Sequence, residues 1–111
     1  MKTENKIIYE FYYAVGLTDF SSCYKLIIDK ETEKMLYGNA LYEGIAPSGR
    51  FSVNKSNLNQ VYEKIDRHKG LVYRVQVDDS NYESAYKKAK DIVYKHLVKI
   101  AEEFKAYKEE S

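Results

Sequence analysis

Few residues in this chain are spaced to do covalent chemistry together. The single Cys23 leaves no partner for an internal disulfide and too few thiolates for a cysteine-based zinc site, and it fits a reducing compartment. His68 and His96 have no carboxylate or cysteine at a ligand-like offset and no HExxH pattern surrounds them, so both read as structural or solvated. Asp78 and Asp79 close an alternating segment just before a helix start, a place where catalytic acids and metal ligands often sit. Acidic residues are also favoured there by the helix dipole alone. Nucleophile elbows, P-loops and dinucleotide fingerprints are absent. The expectation is a protein that is not an enzyme and carries no metal or cofactor.

Binding chemistry has better candidates. The stretch APSGR reads as a loop in which the amides around Ser48 and Gly49, beside the guanidinium of Arg50, offer donors to a phosphate or carboxylate. An ordinary Pro-Ser-Gly turn has the same composition. Tyr12, Lys25, Arg74 and Gln76 fall opposite the apolar rows of their strands. If they share one exposed sheet face, tyrosine, arginine and lysine make a stacking platform for a base. A solvated face, or one buried against a second subunit, is the competing reading.

The elements that must position these residues follow from periodicity. Tyr82, Ala85, Tyr86, Ala89, Ile92, Val93, Leu97, Ile100, Ala101, Phe104 and Tyr107 recur in steps of three and four, which predicts one long amphipathic helix from Ser80 to Tyr107. Ser80 followed by Glu83 has the form of a capping box. Alternation predicts strands at Ile7 to Val15, Cys23 to Asp29, Met35 to Tyr42 and Leu71 to Asp78. Gly38 inside the third strand signals a bulge or a close backbone approach. Leu58, Val61, Tyr62 and Ile65, after a cap at Ser56 or Asn57, predict a short helix closed by Gly70. The order β-β-β-α-β-α favours an α+β fold, a mainly antiparallel four-stranded sheet packed on the short helix and the long C-terminal one. That strand order resembles the start of an RNase H-like fold, whose first-strand carboxylate would here be Glu10. The acidic partners expected on the following helix are missing, so the activity is not carried over.

At 111 residues the chain suits a single domain, 1–111, of ordinary soluble composition. Eighteen basic and seventeen acidic residues leave a formal charge of +1, which argues against a nucleic-acid or membrane-surface partner drawn by a global field. No stretch approaches the ~18 apolar residues of a membrane span, and the N-terminus lacks a signal-peptide pattern, so the cytoplasm is expected. Twelve tyrosines without a tryptophan fit either the bias of an AT-rich genome or an interaction surface. A 28-residue helix, about 40 Å at 1.5 Å per residue, exceeds the roughly 34 Å diameter of such a domain. Ile100, Phe104 and Tyr107 therefore lie on an overhang that calls for a homo-oligomer. The leading functional expectation is a small binding protein for an anionic, nucleotide-like ligand at Arg50, Arg74, Tyr12, Ser48, Gly49 and Lys25. The alternative is a module that blocks or regulates a host protein, such as an accessory factor of a phage or other mobile element. A single-strand nucleic-acid binder is the third reading.

Overall fold

The computed structural model describes residues 6–68 and 70–110, the side chains of 107–110 excepted. Six strands precede one helix: β1 (Ile7–Ala14), β2 (Ser22–Glu31), β3 (Met35–Tyr42), β4 (Ala46–Asn54), β5 (Val61–Asp66), β6 (Gly70–Val77) and α1 (Tyr82–Glu110). They form one antiparallel sheet in the order β4-β3-β2-β1-β6-β5. The two edge strands are also consecutive in the chain, joined only by residues 55–60. That connection begins with a 3-10 turn at Lys55–Asn57. With about 2 Å of rise per residue in the turn, it reaches roughly 20 Å, less than the ~24 Å between the edges of a flat six-stranded sheet. The sheet must curl, and the amide of Asn59 ties the connection to the Gln76 carbonyl at 2.7 Å.

Period two sorts the strand residues onto two faces, and each has its own core. On one, Tyr9 and Phe11 of β1 and Tyr73, Val75 and Val77 of β6 pack against Ala85, Ala89 and Val93 of α1. The alanines let the helix axis approach the bulky strand residues closely. On the concave face, Ile8, Leu26, Ile28, Leu36, Ala40 and Val53 form a second cluster, closed by Phe51 and by Leu58 from the connection.

Several expected features are overturned. The sheet has six strands rather than four, and the segment read as a short helix is the 3-10 turn followed by β5. Val61 and Ile65 carry the helical spacing, but they also alternate with Tyr62 and Lys64 along a strand. The deciding factor is β6, whose residues are largely buried and whose backbone needs a hydrogen-bonded neighbour on each side. β1 supplies one and β5 the other. Gly70 does adopt positive φ, at +78°, but in the β5–β6 turn and not as a helix cap. The stretch APSGR is likewise no loop: it lies within β4, paired to β3, with a bulge between the pairs Ala40–Gly49 and Leu41–Pro47. The turn itself falls earlier, where Glu43 and Gly44 take φ of 55° and 80°.

The helix boundary is also shifted. Asn81, not Ser80, caps α1: its side-chain oxygen accepts from the Ser84 amide at 2.9 Å. Asp79 accepts from the Asn81 amide and the Ser84 hydroxyl and pairs with Lys88 at 2.9 Å. Downstream, α1 packs chiefly on β6, β1 and β5, and from Val98 to Ala106 every residue is exposed. The long axis of the molecule is 62 Å against 29 and 24 Å across. Among the described residues no helix is long and apolar enough to cross a membrane.

Candidate ligand cleft

Alternation along β2 sends Tyr24 and Leu26 to the concave face and Cys23 and Lys25 to the face that carries the helix. Lys25 lies opposite Tyr9, and Cys23 opposite Phe11. The helix covers β1 but leaves β2 open. The step between its first turn and the bare strand is a cleft of about 330 Å³, lined by Tyr9, Cys23, Lys25, Glu43, Gly44 and Tyr82. A second lobe of about 190 Å³ shares Cys23, Glu43 and Tyr82 and extends to Phe11, Phe20 and Tyr86. The larger lobe alone falls at the lower end of the size range of small-molecule sites.

Rings line the smaller lobe. Phe11 and Phe20 stand 4.8 Å apart by centroid, and Phe20 meets Tyr86 edge-on at 5.6 Å. Tyr9 and Tyr82, which both line the larger lobe, meet edge-on at 5.4 Å. The Tyr86 hydroxyl donates to Asp19 at 2.6 Å, and Lys90 lies 3.5 Å from the same carboxylate. That hydroxyl, with the Phe20 amide, holds Asp19 below the usual carboxylate range. Burial pushes the Cys23 thiol up to about 12, with Glu43 and Glu10 adding to the shift. The thiol therefore stays protonated at neutral pH and is no nucleophile. Lys25 and Glu43 stand apart from these pairs: neither side chain has a hydrogen-bond or ion-pair partner among the described residues. Glu43 is anchored by its amide, which donates to the Cys23 carbonyl at 2.9 Å.

The six residues expected to form a ligand site are scattered. Lys25 lines the cleft. Arg50 grips Asp29 with both terminal nitrogens, at 2.5 and 3.2 Å, and holds that carboxyl below its usual range. Ser48 and Gly49 lie in β4, where Gly49 takes φ of 109° beside the bulge. Tyr12 and Arg74 are cross-strand partners and do share a face with Gln76, the one away from the helix, but Lys25 does not. There the Tyr12 hydroxyl donates to Glu10 at 2.8 Å and Gln76 donates to the other oxygen at 2.6 Å. Arg74 Nε lies 3.9 Å from Glu10, while its guanidinium covers the Tyr62 ring at 4.7 Å. Burial, followed by Glu10, keeps the Tyr12 hydroxyl well above its ordinary pKa. Arg74 Nε is buried without a hydrogen-bond partner among the described residues, so Glu10 holds the guanidinium at ion-pair distance only.

Of the histidines, His96 meets Tyr73 edge-on at 5.0 Å with Nε2 3.4 Å from Glu63. Among the described residues no group of three or more His, Cys, Asp or Glu side chains is placed to hold a metal. Sequence reasoning did not single out Tyr9, Glu43 or Tyr82. The signal for them is the β1–β2 register, which sets Lys25 against Tyr9, and a single sequence does not print a register. Compared with protein-family models, with curated proteins and with solved structures, the chain matches none.

Proposed function

We propose that the protein is a small, non-enzymatic binding protein for an anionic, ring-bearing ligand of the nucleotide type, held in the cleft between β2 and the first turns of α1. The observation that carries this reading is Lys25: an ammonium without a partner among the described residues, at a cavity of about 330 Å³ bordered by tyrosine rings. An unpaired lysine in a partly desolvated, ring-lined recess suits a phosphate, with the flat part of the ligand against Tyr9, Tyr82 and the adjoining rings. Arg50 and Arg74 are already committed to Asp29 and to Glu10 with Tyr62, and contribute less. The test is the melting temperature of the protein with nucleoside monophosphates at millimolar concentration, since a ligand that binds only the folded state must raise it. Lys25→Ala should abolish the rise, and Arg50→Ala should retain it. A rise that survives Lys25→Ala would move the ligand elsewhere.

A second reading concerns assembly. Phe104 is 66 % exposed and Ile100 38 %, on a helix end where every residue from Val98 to Ala106 is exposed; the side chain of Tyr107 lies outside the described residues. Each large apolar group left in water forgoes roughly 1.5–3 kcal/mol of burial. A second copy, bringing the same stripe about a two-fold axis, covers both ends at once and makes the protein a homo-oligomer.

A further inference from the structure

We infer that Glu43 reads the base, so that the cleft takes nucleotides whose base carries an exocyclic amino group, adenine or cytosine, in preference to hypoxanthine or uracil. This rests on the reading of the cleft as a nucleotide site.

Glu43 is one of the few residues that border both lobes, the larger with Lys25 and the smaller with the rings of Phe11, Phe20 and Tyr86. A base laid on Tyr82 and Tyr86 at the mouth of the smaller lobe and a phosphate at Lys25 put the polar edge of the base beside Glu43. A carboxylate only accepts hydrogen bonds, so it pairs with an amino group and repels a carbonyl oxygen in the same place.

The backbone adds a second, independent observation. Glu43 holds φ of 55°, a left-handed conformation that glycine enters without cost and that disfavours a residue with a β-carbon. Gly44 follows, so the turn already draws on glycine where it is needed. Glu43 therefore sits in a conformation that a residue with a β-carbon enters at a cost, and strain of this kind concentrates at functional positions. Its amide is fixed to the Cys23 carbonyl, which makes the orientation of the turn reproducible.

The experiment is calorimetric titration of the full-length protein with AMP against IMP and with CMP against UMP. The amino-bearing member of each pair should bind roughly tenfold tighter or more, in line with the discrimination one well-made base contact supplies. Glu43→Gln presents a donor as well as an acceptor and should bring each ratio close to one. Glu43→Gly should do the same while melting no lower than the wild type, which separates loss of recognition from loss of fold. Lys25→Ala should weaken all four ligands alike. Ratios near one in the wild type, with binding that still needs Lys25, would overturn the role of Glu43 and leave the cleft standing. No binding of any of the four would overturn both.

Discussion

A β-carbon added at Gly38 would sit 1.9 Å from the carbonyl oxygen of Ile27, a backbone atom that cannot swing away. The bulge in β2 between Ile28 and Lys30 lies beside this contact and shows how tightly the two strands are drawn together. Gly38→Ala should therefore destabilise the fold by about 1–3 kcal/mol, as overpacking does, read by chemical denaturation; a change of a few tenths would mean the strands separate freely. The start of α1 makes an equally local prediction. Asn81→Ala removes the acceptor for the Ser84 amide and should cost about 1 kcal/mol, whereas Ser80→Ala, exposed and outside the cap, should stay within about 0.5 kcal/mol. Asp79 adds a pH dependence. Hydrogen bonds from the Ser84 hydroxyl and the Asn81 amide, with Lys88, lower its pKa from 3.8 to about 2. A carboxyl depressed on folding stabilises the native state above pH 4 and loses that contribution as pH falls from there toward 2. Asp79→Asn should melt lower than the wild type at pH 7, and the gap should close near pH 2. A gap that is constant across this range would separate the staple from the charge.

At the scale of elements, the connection between β4 and β5 does more than its length suggests. It brings the two sheet edges round the concave core, and Leu58 is the side chain it sets against that cluster. Leu58→Ala should cost about 2 kcal/mol, the lower end for a leucine truncated against a core it helps to close. A loss under half of that, by denaturant titration, would reduce the segment to a tether. The same connection shows why periodicity misled. Leu58, Val61, Tyr62 and Ile65 are spaced for a helix, but the three from Val61 onward are also strand-prone, and β6 without β5 would leave a buried edge of unpaired amides. The long helix was legible because its stripe runs through several turns, and no alternative period fits it. Strands β1, β2, β3 and β6 were legible for the same reason, to within a few residues at their ends.

At the scale of the molecule, the helix end is the feature without a counterpart among the described residues. The molecule is 62 Å along its longest axis, and Val98, Ile100 and Phe104 stay exposed towards the end of α1. If a second copy covers them, Phe104→Glu should convert an oligomer into a monomer by light scattering with little change in helix content. A wild-type protein that scatters as a monomer at high micromolar concentration would refute the assembly. The proposed ligand cleft lies at the opposite end of α1, beside Tyr82, so the variant should leave any nucleotide-induced rise in melting temperature intact. Coupled loss of both would place the cleft under the control of assembly.

The sequence by itself determined the α+β class, the long C-terminal helix, four of the six strands, the need for glycine at position 38 and the stripe that outruns the domain. Each of these depends on residues close together in the chain, where propensity and period act directly. Only the tertiary structure decided that residues 61–66 form an edge strand, that Ser48 to Arg50 are paired backbone and not a loop, and that Lys25 parts from Tyr12 and Arg74 to the other face. Those outcomes depend on register and on which strand lacks a neighbour. A one-residue change of register moves every side chain to the other face of the sheet, so the partners of Lys25 were set by strand pairing far apart in the chain.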